Sequence, residues 1–295
     1  MRKTLAFVEI IRPVNSIMNG VAVIVGYIIT CGCLQMDIRL IWGFLVGFFL
    51  TASSMVINDY FDRLIDAINA PYRPIPSGRI SEREAKIYGV LLGVIGLGVA
   101  LYLGIELFII ALISYGISLL YNWRMKKTGF LGNLMVSYCV AIPFIYGSLL
   151  VSSKNILVAL IFASIAFLAN TGREITKGIV DIVGDREREI QTIAVKYGAK
   201  EAAIVASTFY IVSVILSFIP LYLKLVNMFY IPLIIITDIG FIWGSIKILM
   251  NPSIEEAYKV KKRILIFMMT GLIAFTLGRL PIDTAISLSI TLLSY

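Results

Sequence analysis

Two segments of the chain gather acidic side chains at helical spacing. The first reads Asn58-Asp59-Tyr60-Phe61-Asp62-Arg63-Leu64-Ile65-Asp66, and the second Arg173-Glu174-Ile175-Thr176-Lys177-Gly178-Ile179-Val180-Asp181-Ile182-Val183-Gly184-Asp185. On a helix, Asn58, Asp62 and Asp66 share one face with Asp59, and Lys177, Asp181 and Asp185 repeat the four-residue step. Like charges at that spacing repel, and a cation held by them relieves the repulsion. The sequence has no His and three Cys, so zinc lacks its usual ligands. A hard cation bound through oxygen is what these side chains can hold. Magnesium is commonly held by one or two carboxylates together with substrate phosphates. Asn58, Asp59, Asp62, Asp66, Asp181 and Asp185 are therefore the expected metal ligands of a magnesium–diphosphate site. A single DxxD at a helix end is ordinarily a solvated or ion-paired face. Two of them at the boundaries of apolar spans, where charge is costly, point instead to function.

The elements that must carry these motifs follow from composition. Apolar residues make up 59% of the chain and charged residues 15%, and the mean hydropathy is +0.91. Soluble domains run at about 45–50% and about 25%, so a soluble enzyme, a disordered chain and a disulfide scaffold are excluded. Apolar runs are long and unbroken, unlike the alternation of an outer-membrane barrel. The fold class is all-α: a polytopic membrane bundle forming one domain over 1–295. A span needs about 20 apolar residues, and nine stretches qualify: 14–34, 39–58, 85–105, 106–122, 130–151, 155–172, 202–222, 226–248 and 264–280. The third and fourth form a tight hairpin. The tail from Pro281 either extends the ninth span past a kink or lies in the interface. The first apolar run shows no cleavage site for a signal peptide. Cys31, Cys33 and Cys139 are expected as small apolar packing residues.

Orientation follows from the basic residues. With the N-terminus cytoplasmic, all 26 Lys and Arg fall on the cytoplasmic side except Arg39, Lys154, Lys224 and Arg279. This is a strong positive-inside pattern. It accounts for the net charge of +8 without nucleic acid. Both acidic motifs then face the cytoplasm, with connecting loops at about 59–84 and 173–201.

N-D-x-x-D-x-x-x-D at 58–66, followed by Arg73-Pro74-Ile75-Pro76-Ser77-Gly78, resembles the first signature of the UbiA superfamily of intramembrane prenyltransferases. D-x-x-x-D at 181–185 resembles its second. The form R-E-x-x-K-G-x-x-D-x-x-G-D is similar to the archaeal digeranylgeranylglyceryl phosphate synthase branch. The resemblance covers the whole chain and gives roles to further residues. Arg12-Pro13-Val14-Asn15 reads either as an interfacial anchor with helix–helix hydrogen bonds or as a substrate contact, and the family's R-P-x-N favours contact through Arg12 and Asn15. Tyr121 and a downstream lysine hold the diphosphate in the family; Lys126 and Lys127 are both eligible. Arg73 belongs to the motif, while Arg79 reads as a surface charge. Arg173 and Lys177 either contact a phosphorylated acceptor or neutralise Asp181 and Asp185. Asp238, deep in the eighth span, reads as a structural hydrogen-bond partner.

The reaction implied is Mg²⁺-dependent transfer of a geranylgeranyl group from geranylgeranyl diphosphate to the free hydroxyl of geranylgeranylglyceryl phosphate. Asp59, Asp62, Asp181 and Asp185 are its expected catalytic residues. The runner-up acceptor is an aromatic ring such as 4-hydroxybenzoate. A cation-coupled transporter is the reading from another class. Transporters place their sites near the bilayer midplane on broken helices, whereas here the acids gather at one face.

Overall fold

A computed structural model of the chain describes residues 2–33, 37–151 and 156–281. Lys154 and the tail beyond Pro281 lie outside the described residues. Those described form α-helices and one 3-10 turn, with no strand among them. Eight helical stretches are long and apolar enough to cross a membrane: 13–31, 38–69, 82–103, 105–123, 130–151, 156–180, 199–222 and 230–250. They coincide with the first eight expected spans. The ninth, 264–280, is the apolar end of α13 (Ile254–Arg279). That helix opens on charged turns carrying Glu255, Glu256, Lys259, Lys261, Lys262 and Arg263, so nine is an approximate count.

The chain divides into two compact units, Met1–Ile24 with Met36–Met125 and Val25–Gln35 with Lys126–Tyr295. In the first unit, α3 (Ile38–Asn69) packs on α4 (Glu82–Leu103) and α5 (Ile105–Trp123). Its core includes Ala6, Ile10, Ala52, Val56, Ile75, Ile80 and Leu92. α3 starts on Asp37, whose carboxylate accepts from the Arg39 amide at 3.0 Å. It runs well past Asn58, so the whole first motif is helical. α4 starts on a capping box: Ser81 Oγ accepts from Glu84 N, and Glu84 Oε2 accepts from Ser81 N. Such caps satisfy amides that a helix start leaves unpaired. The expected tight hairpin turns at Gly104, φ 142°, a conformation that residues with a Cβ rarely adopt. A short helix absent from the sequence reading, α1 (Arg2–Ile10), precedes α2 (Pro13–Cys31). Lys3 pairs with Glu84 and Glu9 with Arg79, each at 2.6 Å.

The second unit is built on α6 (Phe130–Val151), α7 (Ile156–Val180), α10 (Ala199–Ser217), α12 (Tyr230–Met250) and α13. Short helices α8 (Ile182–Glu187), α9 (Ile193–Tyr197) and α11 (Ile219–Tyr222) connect them. Tyr210 is fully buried between α7 and α12, bonding Thr176 at 3.0 Å, with its ring tilted against Phe241 at 5.7 Å between centroids. Asp238 accepts from Ser217 Oγ at 2.8 Å, as its structural reading expected. One expectation fails. Cys31 and Cys33 are not separate packing residues but form a disulfide. The chain turns back at Gly32, φ 67°, which brings their Cα atoms to 5.2 Å, inside the range a disulfide can bridge. Cys139 is free.

Candidate active site

The first motif sits on the last turns of α3, and two arginines come to it from loops. Arg12 lies at the break between α1 and α2. A residue before proline is disfavoured in the helical region, and Arg12 adopts φ 46°. That break turns its guanidinium towards α3, where Nη2 meets Asp59 Oδ1 at 2.6 Å. Arg73 comes from the loop after α3. Its Nη1 lies 2.6 Å from Asp66 Oδ2 and 3.6 Å from Asp59 Oδ1. The P-I-P-S-G loop is stiff, as its prolines imply. Ser77 N donates to Arg73 O, Gly78 N donates to Ile75 O, and Ile75 and Ile80 are buried. Arg79 fastens this loop with bonds to both Glu9 oxygens and to Tyr72 O, so its charge serves structure.

Asp62 is half-buried one turn from both Asn58 and Asp66. Asn58 donates from Nδ2 to Asn122 Oδ1 at 2.9 Å. Tyr121 is half-buried in the last turn of α5. Asn15, an expected substrate contact, is exposed in the first turn of α2, and its side chain makes no hydrogen bond among the described residues. The first unit thus brings Arg12, Arg73, Asp59 and Asp66 into one cluster, with Asn58 and Asp62 on the same helix.

The second motif is split by a helix break. α7 ends at Val180, Asp181 forms the turn, and Asp185 sits in α8. Asp185 N still donates to Asp181 O at 2.8 Å, which keeps the two carboxylates one turn apart. Neither makes a side-chain hydrogen bond or ion pair among the described residues. Burial, and then the Asp181 charge, push the Asp185 carboxyl up to about 6, against the opposing pull of Lys177, Arg188 and Lys126. One turn back, Arg173 Nη1 meets Glu174 Oε1 at 2.9 Å and Lys177 Nζ lies 3.7 Å from Glu174 Oε2. The close counter-ion of these two cations is Glu174, which the sequence reading passed over. The signal was present: a glutamate three residues before Lys177 on a helix is within ion-pair reach. Lys126 and Lys127 lie in the 3-10 turn Met125–Thr128. Gln191 N donates to Lys127 O at 3.1 Å, and a Cβ at Gly129 would collide with Gln191 O. Glycine there lets the lysine turn lie against the segment that follows α8.

Each unit therefore carries one acidic motif with basic side chains around it, on long apolar helices. The model of the UbiA prenyltransferase family matches residues 20–276. This chain belongs to the UbiA prenyltransferase family. It is 40% identical to the digeranylgeranylglyceryl phosphate synthase of Pyrococcus horikoshii, over 93% of this chain and 97% of that one. It is 33% identical to the enzyme of the same name from Methanosphaera stadtmanae, over 93% and 99%. A solved structure giving insights into digeranylgeranylglyceryl phosphate synthase in membranes superposes with a TM-score of 0.84 at 36% identity, covering 95% and 99% of the two chains. A UbiA homologue from Archaeoglobus fulgidus bound to GPP and Mg²⁺ shares the fold, with a TM-score of 0.62 at 18% identity over 92% and 99%. The chain is thus a prenyltransferase embedded in a membrane, and the transporter reading is set aside.

The residues of this UbiA prenyltransferase suit a hard cation. Every candidate ligand is an oxygen, and among the described residues Asp181 and Asp185 are in no ion pair, though Lys177, Arg188 and Lys126 act on Asp185 at longer range. Among the described residues no three acidic, His or Cys side chains converge on one point.

Proposed function

We propose that the protein transfers a geranylgeranyl group from geranylgeranyl diphosphate to the free hydroxyl of geranylgeranylglyceryl phosphate, releasing diphosphate. The supporting observation is the chemistry of the two clusters: arginines and lysines for an anionic donor, oxygen ligands for Mg²⁺, and a second basic group at Arg173 and Lys177 for a phosphate on the acceptor. The name shared by the relatives above supports the same substrates.

In this reading one domain over 1–295 performs the reaction, with the N-terminus and both motifs on the cytoplasmic side. Asn58, Asp59, Asp62 and Asp66 in the first motif and Asp181 and Asp185 in the second are the residues that would hold Mg²⁺, and the bound ion would supply positive charge to the diphosphate leaving group. Arg12 and Arg73 are held by Asp59 and Asp66. A diphosphate that bound those guanidiniums would leave the two carboxylates free to hold the metal. Arginine suits this exchange because its planar fork matches carboxylate and phosphate alike. Tyr121 and one of Lys126 and Lys127 bind the same diphosphate, and Asn15 contacts the substrate at the mouth of α2. The C1–O bond of the donor breaks and the diphosphate leaves with the electron pair. The acceptor hydroxyl oxygen bonds to C1, and its proton passes to the released diphosphate or to water. The apolar helices keep water from the allylic cation.

The test uses purified protein, Mg²⁺ and radiolabelled geranylgeranyl diphosphate, offered geranylgeranylglyceryl phosphate and 4-hydroxybenzoate together. The labelled double-ether lipid is the expected product; label in the aromatic acid alone overturns the acceptor. Asp62→Ala and Asp185→Ala should each abolish turnover in folded protein. Activity retained by either at saturating Mg²⁺ removes that residue from the metal assignment.

A further inference from the structure

Among the candidate metal ligands of the first motif one is neutral, Asn58, and a primary amide can face a site with either of two opposite atoms. Its carbonyl oxygen suits a cation, and its NH₂ suits an anion such as diphosphate. The hydrogen bonds around Asn122 decide which. Asn122 lies in the last turn of α5, buried against α3. Its amide nitrogen Nδ2 reaches Ser54 O at 3.2 Å and Ser54 Oγ at 3.1 Å. A main-chain carbonyl can only accept, so the Asn122 atom on that side must be the NH₂. Its Oδ1 therefore points the other way and accepts from Asn58 Nδ2 at 2.9 Å. With its nitrogen committed to Asn122, Asn58 presents its oxygen to the site.

The network extends further along the α3–α5 seam. Ser54 Oγ bonds Ser118 Oγ, and Ser53 Oγ bonds both Gly89 O and Tyr115 OH at 2.6 Å. Tyr115, Ser118 and Asn122 fall on one face of α5, at helical spacing. Ser53 and Ser54 are buried, and in such surroundings a reversed amide would set acceptor against acceptor, leaving polar groups unpaired at a cost. The orientation of Asn58 is therefore locked from behind by Asn122.

We infer that Asn122 is a positioning residue. It fixes the amide of Asn58 so that Oδ1 is a ligand for the divalent cation, and it takes no part in binding diphosphate. This inference rests on the proposed metal role of the first motif. Removing a group that orients a metal ligand typically lowers metal affinity by about 10- to 100-fold.

Mn²⁺ binding to the full-length protein with inorganic diphosphate, read by electron paramagnetic resonance, tests it without turnover. Asn122→Leu should weaken Mn²⁺ about tenfold. Asn122→Asp, which keeps acceptor oxygens facing Asn58 Nδ2, should retain affinity within about threefold even if its melting temperature falls through the lost bonds to Ser54. In an Asn58→Leu background, neither change should alter Mn²⁺ affinity further, because coupled residues are non-additive. A purely structural role predicts the opposite order, since a buried carboxylate beside Ser54 O disrupts the seam more than leucine. Unchanged affinity in Asn122→Leu, or an equal loss in the Asn58→Leu background, overturns the inference. If Asn122→Leu does not fold, loss of affinity in Asn122→Asp to the Asn58→Leu level overturns it equally. Absence of Mn²⁺ binding by the unsubstituted protein would instead refute the metal reading itself.

Discussion

Replacing Arg12 by methionine should destabilise the protein, and replacing Asp59 by asparagine in addition should restore part of the loss. The Asp59 side chain is 7% exposed and meets Arg12 at 2.6 Å. Removing one partner of a buried ion pair costs about 3–5 kcal/mol, because the other charge is left unpaired. Two features lower that figure here. Arg12 is 34% exposed, so water screens the pair, and exposed pairs contribute about 1 kcal/mol or less. Arg73, 3.6 Å from the same oxygen, remains to offset the charge. A loss of about 2 kcal/mol follows, which for a chain of this size is a fall of about 4–8 °C in Tm. Thermal unfolding in detergent measures it. Asp59→Asn on the Arg12→Met background should recover about half, since no unpaired carboxylate remains. Binding of geranylgeranyl diphosphate to Arg12→Met, read directly as a Kd, should weaken because the donor has lost its arginine. A double variant no more stable than Arg12→Met would refute the ion-pair argument. An unchanged Kd in Arg12→Met would refute the donor role.

Three further outcomes follow from the same structure. Asp185, with a carboxyl near pH 6, binds its proton more tightly in the folded chain than in the unfolded one. Metal-free protein should therefore lose stability as pH rises from about 4 to about 6, and Mg²⁺ should offset that loss; in Asp185→Ala the fall over the same window should be shallower, and an unchanged slope in that variant would reject Asp185 as a titrating group. Cysteine introduced at Ser81 or Lys200, with Cys31, Cys33 and Cys139 replaced, should escape an impermeant reagent applied outside intact cells; labelling of either position contradicts a cytoplasmic placement of the loops. Lys177→Met should raise KM for the phosphorylated lipid acceptor about thirtyfold, from a charge-assisted contact of about 2 kcal/mol, with a smaller change for the donor; equal rises would move Lys177 to the donor site.

The membrane helices were legible because their signal is local and redundant. Each apolar stretch declares itself over about 20 residues, and the eight that meet the length and hydropathy criterion fall where the sequence placed them. Errors came where the local signal was mixed. The expected second and sixth spans ended at 58 and 172, where apolar residues thin out, yet α3 and α7 continue to Asn69 and Val180. A helix need not stop where lipid does, since its backbone bonds persist into water. α1 was missed because Arg2, Lys3 and Glu9 break its apolar pattern. Its docking depends on Lys3–Glu84 and Glu9–Arg79, contacts between residues far apart in sequence.

The site was legible as an inventory and illegible as a set of pairings. Spacing identified the aspartates of the two motifs and grouped them by face, but it did not give their ion-pair partners. In the structure Asp59 and Asp66 hold Arg12 and Arg73, and Glu174 holds Arg173 and approaches Lys177. Charge at a membrane boundary must be compensated nearby, so each arginine brought to an acidic motif takes a carboxylate with it. Which carboxylate it takes is settled by backbone breaks such as Arg12-Pro13 and the stiff 70–81 loop, and their exit angles are not encoded in residue spacing. Glu174 illustrates the remainder. It offsets one positive charge where Arg173 and Lys177 supply two, leaving one cation's worth of charge on the apolar helix that carries the second motif. Asp181 and Asp185, one turn beyond, cannot settle that balance if they serve Mg²⁺. A phosphate on the acceptor can, which is why the identity of the acceptor is expected to show itself first at Lys177 and only weakly at Arg12 or Arg73.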